Sequence, residues 1–279
     1  MKITDKQYSL EKKMVEYADR IAERVSTPKP KLDYPLLIEG YEGYGKSNIG
    51  VGIAYRVAEQ TGREFTLDNI FFDPEELIKF ATENENKIIM WDEMALVALA
   101  MERGNRWQLA IIQTLMMARK KRHFFIFCIP RFYRLKEAII ERCMGLIHVY
   151  ARNQTELGRF FFYKRASMEL MYEYWKRTRR KPNYSRFANV RGTFGECLPK
   201  IVDEKEYDKK KDVAIKQILE RLRGTKSSKS QEKISEFKKH VGKRAVEEGN
   251  VEEIAERFGV HFGTVYEWAK DVKRSKDGR

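Results

Sequence analysis

The stretch EGYEGYGKSN, residues 39–48, places three glycines ahead of a Lys-Ser pair. Gly40, Gly45, Lys46 and Ser47 fit the spacing G-x-x-x-x-G-K-[ST]. That spacing suits the capture of a polyphosphate. Glycines let the backbone turn tightly enough for successive N–H groups to face phosphate oxygens, and a following helix N-terminus adds a potential that favours an anion. Gly40, Gly43, Tyr44, Gly45, Lys46, Ser47 and Asn48 are the expected nucleotide-binding residues. Lys46 is expected to reach the β- and γ-phosphates, and Ser47 to hold Mg²⁺.

A nucleotide site needs a carboxylate on the metal side. KIIMWDE, residues 87–93, offers an apolar strand ending in Asp92 and Glu93. Asp92 is expected to coordinate Mg²⁺ through water, and Glu93 to orient or deprotonate the attacking water. The second carboxylate favours ATP hydrolysis over binding alone. Charge that develops during phosphoryl transfer is commonly met by an arginine from a neighbouring subunit. The candidates for that trans role are Arg103, Arg106, Arg119 and Arg122. Arg131 is expected at the carboxyl end of a central strand, the edge where open α/β sheets bind ligands, and is the candidate sensor. Arg152 follows the fifth strand.

The elements that must position these residues follow from the pattern. PLLIEG (35–40), NIFFD (69–73), KIIMWDE (87–93), HFFIFCIP (123–130) and GLIHVYA (145–151) read as short, apolar strands. Helices are expected at 47–62, 74–84, 105–122 and 134–143 between them, with another at 7–25 before them. Near-continuous apolar strands alternating with helices predict an α/β fold, a mostly parallel sheet covered on both faces. The rhythm then changes. A turn near 153–158 predicts a β-hairpin after the fifth strand. Helices follow at 168–180 and 203–223, and GTKSSKSQ (224–231), small, polar and basic, reads as a linker.

VEEIAERFGVHFGTVYEWAKDVKR, residues 251–274, carries a second pattern. Ala255, Gly259 at a turn, and Ile254, Phe258, Val260, Val265 and Trp268 as a small core match a helix-turn-helix. The second helix is expected to begin near 262–264. His261, Thr264, Tyr266, Lys270, Lys273 and Arg274 are the expected DNA contacts, with Gly263 and Glu267 on the same face. The domains implied are an N-terminal helix (1–30), a nucleotide-binding domain (31–202), a charged helical linker (203–245) and a helix-turn-helix unit (246–279).

Composition sets the partner class. The chain has 279 residues, 55 Lys+Arg against 41 Asp+Glu, and a formal charge of +14. A basic excess of this size points to polyanions. YEYWKRTRRKPNYSR (172–186) interleaves aromatics with cations, which suits contact with single strands or a duplex backbone. Cys128, Cys143 and Cys197 are odd in number and lack Cys-x-x-Cys spacing, so neither a disulfide framework nor a zinc site is expected. No run of about 18 apolar residues occurs, so neither a membrane span nor a signal peptide is expected, and the cytoplasm is the expected compartment.

The set EGYEGYGKS, IIMWDEM and ARKKRHFFIFCIPRFYRL resembles the P-loop ATPases of the FtsK–HerA superfamily and their zonular-occludens-toxin-like relatives of phages, viruses and plasmids. The resemblance covers roughly residues 30–165. It implies Lys46, Ser47, Asp92 and Glu93 as nucleotide residues, ATP and Mg²⁺ as cofactors, and a homo-oligomer, possibly a hexameric ring, acting on DNA. That family often carries Gln at the end of the fourth strand, where this chain has Pro130-Arg131. The first functional reading is a mobile-element ATPase that moves or remodels DNA during packaging, transfer or replication. The alternatives are an AAA+-like loader or transposition regulator, and a helix-turn-helix regulator switched by nucleotide.

Overall fold

The computed structural model describes residues 3–5, 8–92, 106–117, 120–129, 131–153, 156–195, 198–199, 202–258 and 260–277; side chains are left aside at 3–5, 8, 106–107, 218–219, 221–234 and 275–277. The chain divides into two compact units, Met1–Ile218 and Leu219–Arg279.

The first unit opens with a two-stranded antiparallel ribbon, β1 (Ile3–Asp5) and β2 (Tyr8–Leu10). Helix α1 (Lys12–Ser26) follows, so the helix expected at 7–25 begins five residues late. The reason is not local, because Leu10 is held in a bridge to Phe194. The remaining elements are β3 (Tyr34–Gly40), α2 (Lys46–Thr61), β4 (Ile70–Phe71), α3 (Pro74–Glu83), β5 (Ile88–Trp91), α4 (Arg106–Met117), β6 (Phe124–Ile129), α5 (Glu137–Ile140), β7 (Gly145–Arg152), β8 (Glu156–Lys164), α6 (Arg165–Thr178), α7 (Tyr184–Phe187), β9 (Val190–Thr193) and α8 (Glu204–Glu248).

Strands β3–β9 form one sheet in the order β4-β5-β6-β3-β7-β8-β9. The first five positions of that order are parallel, and β8 and β9 add antiparallel to the β7 edge. The hairpin expected after the fifth strand is present as β7–β8; β9 was not foreseen.

Alternate residues of each strand point to opposite faces, and the two faces are separate cores. Leu36, Ile38, Met90 and Ile126 pack against α1 and α2 through Met14, Ile21, Val25 and Ile53. Leu37, Trp91, Phe125 and Phe127 pack against α3–α6 through Leu77, Ile111, Ile139 and Met168. Burying each large apolar side chain stabilises the fold by roughly 1.5–3 kcal/mol. Because α2 lies on one face and α3, α4 and α5 on the other, the chain leaves the carboxyl ends of β3 and β6 toward opposite faces. These two strands are neighbours, so a crevice opens between their ends, the usual ligand position in such sheets.

The second unit contains the distal part of α8, with α9 (Val251–Phe258) and α10 (Phe262–Asp277). Its core is Val241, Ala245, Ile254, Ala255, Val265 and Ala269. The expected break at 245/246 falls inside this packing. GTKSSKSQ lies within α8 and is helical. Its Lys, Ser and Gln are compatible with a helix interior, and the single Gly224 costs only about 1 kcal/mol. Among the described residues no helix is long and apolar enough to cross a membrane. Cys128 and Cys143 are buried free thiols.

Candidate functional site

All seven residues of β3 are buried, and the strand ends at Gly40. A Cβ there would meet the Val149 carbonyl oxygen of the adjacent strand at 2.5 Å, and φ is +151°. Only glycine lets the chain leave the sheet so close to β7. Gly45 ends the loop in a left-handed conformation, φ 89°, as the N-cap of α2. A Cβ at Gly45 would press on the Phe194 ring at 2.9 Å. Among the described residues no side chain caps this helix, and helix geometry leaves the amides of its first turn without intrahelical acceptors.

Lys46 is the first residue of α2, and its Nζ donates to the carbonyls of Gly40 and Tyr41, each at 3.0 Å. The lysine thus folds back across the loop it follows. Ser47 Oγ donates to Asp92 Oδ2 at 2.7 Å. Asp92 stands just beyond β5, which β6 separates from β3. Its backbone N–H donates to Phe71 O at 2.9 Å, and the residue is 2% exposed. Tyr207, in the first turn of α8, donates its hydroxyl to the same Asp92 Oδ2. Burial, then the Asp92 carboxylate, hold the Tyr207 hydroxyl well above the usual tyrosine range.

These groups line a cleft of ≈ 350 Å³, together with Glu42, Gly43, Asn48, Leu198, Glu204, Asp208 and Lys211. The lining mixes carboxylates with two lysines. Bare polyphosphate would be repelled by Asp92, Glu42, Glu204 and Asp208; a divalent cation between them reverses that sign. Ser47 Oγ and Asp92 Oδ2 are hard oxygen donors suited to Mg²⁺. Among the described residues no three His, Cys, Asp or Glu side chains converge to cage a metal. A site with one carboxylate and one hydroxyl leaves the other positions to phosphate oxygens and water, which is the Mg²⁺ pattern rather than the Ca²⁺ or Zn²⁺ pattern.

Glu39, next to Gly40, points to the opposite face and is 4% exposed. Its carboxylate accepts from the Phe132 amide at 2.8 Å and pairs with His148 Nδ1 at 3.1 Å. It therefore ties the end of β3 to the segment after β6 and to β7. Tyr184 stacks on His148 at 3.8 Å. Burial first, and Glu39 second, raise the hydroxyls of Tyr133, Tyr163 and Tyr184.

The fold brings Gly40, Gly43, Gly45, Lys46, Ser47 and Asp92 to one edge. Tyr44 packs partly into the core beside α2, and Asn48 lines the cleft. Arg131 is exposed just past β6, on the carboxyl edge. Arg122 precedes β6 and lies at the amino edge, so within one chain it is at the wrong end of the sheet for the cleft. Its carbonyl accepts from Arg63 Nη1 at 2.8 Å. Arg106 is the first residue of α4. Glu93, Arg103, Arg119 and Gly259 lie outside the described residues. In the second unit His261, Thr264, Tyr266, Lys270, Lys273 and Arg274 are all exposed, and Val265 and Ala269 of the same helix are buried. Sequence reasoning missed Tyr207, Glu39 and His148. A buried-strand glutamate abutting the glycine loop was the one signal available for Glu39 and its partner His148; nothing local marked Tyr207.

No protein-family model matches the chain, and no curated protein matches it at a significant level.

Proposed function

We propose that this chain is a P-loop ATP hydrolase that uses Mg²⁺ and acts on DNA, the motor of a virus, phage or plasmid that moves or remodels DNA. The observation that carries this reading is the Ser47–Asp92 bond at 2.7 Å. It joins the residue after the glycine loop to the end of a strand two positions away in the sheet. In this reading Lys46 leaves the Gly40 and Tyr41 carbonyls to bind phosphate, and the amides of Gly43–Asn48 hold the β-phosphate. Ser47 and Asp92 hold the metal, directly and through water. Bound Mg²⁺ supplies charge neutralisation between the β- and γ-phosphates. Glu93 orients water for attack, and Arg131, at the same edge, answers charge on the γ-phosphate.

DNA as partner is supported by the +14 charge and by the distribution of cations. Arg177, Arg179, Arg180, Lys181 and Arg186 are exposed within ten residues. Arg179 lies 5.1 Å over the Trp175 ring. The α9–α10 pair is read as a helix-turn-helix whose exposed face carries Thr264, Tyr266 and Lys270. A polar face with cations beside a buried Val265–Ala269 stripe is what groove binding asks of such a helix. A homo-oligomer is part of the same reading, since a trans arginine requires one.

The test is ATP hydrolysis by the full chain with and without long duplex DNA, for the parent and for Glu93→Gln. Duplex-stimulated hydrolysis that disappears in the variant is the expected result, with the stimulation growing with duplex length. Tight ATP binding with negligible hydrolysis, indifferent to DNA, sinks the motor and leaves a nucleotide-switched DNA-binding regulator. Hydrolysis that answers to DNA but not to its length points to the loader.

A further inference from the structure

Asp92 Oδ2 accepts two hydroxyls, one from Ser47 and one from Tyr207. Ser47 belongs to the nucleotide motif. Tyr207 does not, because it sits in the first turn of α8, 115 residues after Asp92. Its side chain is 5% exposed, and its ring packs against Phe72 with centroids 5.8 Å apart. One turn later Lys210 Nζ donates to the Leu67 carbonyl at 2.8 Å and lies 5.9 Å from the Phe71 ring. Two separate anchors therefore strap the start of α8 to the β4–β5 end of the sheet. Glu204, Tyr207 and Asp208 from the same turns form a wall of the cleft.

We propose that Tyr207 is a positioning residue that competes with the metal ion for Asp92, so that metal-nucleotide entry releases the first turns of α8. The proposal rests on reading the cleft as a Mg²⁺-nucleotide site. A carboxylate oxygen offers about two lone-pair directions, and both hydroxyls already converge on Oδ2. A water bound to the cation, donating to that oxygen, must take a direction that one of them holds. Ser47 can keep donating its proton to Oδ2 while a lone pair of its oxygen faces the cation, without moving α2, so the direction that must be vacated is the one Tyr207 holds. Tyr207 has no such freedom. Its oxygen is fixed at the tip of a ring packed on Phe72, so the hydroxyl leaves Asp92 only if the ring or the helical turn moves. The adjacent anchor, Lys210 on a backbone carbonyl, is a single uncharged acceptor and yields more readily than an ion pair would.

The test uses the full chain and two readouts. The first is Mg²⁺-dependent binding of a fluorescent ATP analogue by the parent and by Tyr207→Phe, which keeps the ring and removes the hydroxyl. Competition predicts that the variant needs less Mg²⁺ for half-maximal binding, by about tenfold for a hydrogen bond to a charged acceptor. A requirement that is unchanged or higher overturns the proposal, since a residue that merely supports Asp92 cannot tighten metal binding when truncated. The second is hydrogen exchange in the parent. Residues 203–211 are expected to lose amide protection on adding Mg²⁺-ATP and to keep it with ATP and chelator. Unchanged or increased protection overturns the release of α8, and this readout stands if the variant fails to fold. If the parent binds no nucleotide at all, the reading of the cleft falls and the proposal with it. If the parent binds and Tyr207→Phe does not tighten, only the proposal falls.

Discussion

At the carboxyl edge of the sheet, Lys46, Ser47 and Asp92 bond to the loop and to one another and still line an open cleft. At the amino edge, Asp33, Arg63 and His123 direct their bonds to backbone. The Asp33 carboxylate accepts from the His123 amide at 2.9 Å. His123 Nδ1 accepts from the Lys87 amide at 3.1 Å, which leaves the proton on Nε2, 3.0 Å from the Ala81 carbonyl. Arg63 donates to the carbonyls of Arg122 and Val25 at 2.8 and 2.7 Å. Each of these six side chains has a hydrogen-bond partner. The difference is whether those partners face a cleft. The amino-edge groups are locked onto backbone and close loops; Lys46 on loop carbonyls, and Ser47 on Asp92, line the cleft and can exchange those partners for a ligand.

The largest expected effect belongs to the carboxyl edge. Lys46→Ala removes a side chain that, among the described residues, bonds to two loop carbonyls. Folding is expected to survive, with a melting temperature close to the parent's. Nucleotide-dependent activity is expected to fall roughly 10²–10³-fold, the usual cost of losing one preorganised charge at a reacting group. Steady-state hydrolysis and calorimetric melting on the same preparation check both halves. A large loss of melting temperature with modest loss of activity would erase the distinction between the edges.

His123→Ala is the matching change at the other edge. It strands the Lys87 amide and the Ala81 carbonyl and opens space beside Phe125, whose ring lies 5.3 Å away. A loss of stability of about 2–3 kcal/mol is expected from unpaired backbone groups and lost packing. Nucleotide affinity per folded molecule should not change. Denaturant unfolding and ligand titration measure the two quantities, and a shift in affinity comparable to the loss of stability would break the comparison.

The same contrast governs what could be read from the sequence. The loop, Lys46 and Ser47 are contiguous, and Asp92 ends an apolar strand, so local pattern was enough to nominate them. The parallel sheet was legible because five strands alternate with helices at short spacing. Tyr207 was not legible. Its partner is 115 residues distant, and its own surroundings, EKEYDKKK, read as a solvated helix. Glu39 is paired with a histidine 109 residues away, so the sequence showed a buried glutamate without its reason. β9 is four residues of middling burial, VRGT, and exists because β8 offers it an edge. The start of α1 was misplaced for a related reason, since Tyr8–Leu10 is held extended by pairing with Ile3–Asp5 and by the distant bridge from Leu10 to Phe194.

The smallest expected effect sharpens the comparison through pH. Burial holds His123 down to about 4, and burial, against two backbone donors, holds Asp33 up to about 6. The two act with opposite sign. A histidine whose folded value lies below its ordinary 6.5 contributes stability that is complete above about 6.5 and is lost as pH falls toward 4. An aspartate whose folded value lies above its ordinary 3.8 contributes stability that is complete below about 3.8 and is lost as pH rises through 6. Between pH 4 and 6.5 the pair therefore largely cancels. Asp33→Asn keeps an oxygen to accept the His123 amide and removes the titration. The variant is expected to match the parent near pH 4 and to exceed it by about 1–2 kcal/mol at pH 7, after allowance for the partial exposure of Asp33. Its stability should also fall more steeply than the parent's as pH drops from 6.5 to 4, because the histidine is then unopposed. Urea unfolding at four pH values across that range measures it. A variant less stable than the parent at pH 7 would mean that the Asp33 charge is used at the amino edge rather than tolerated there, and that this edge, too, holds a group waiting for a partner.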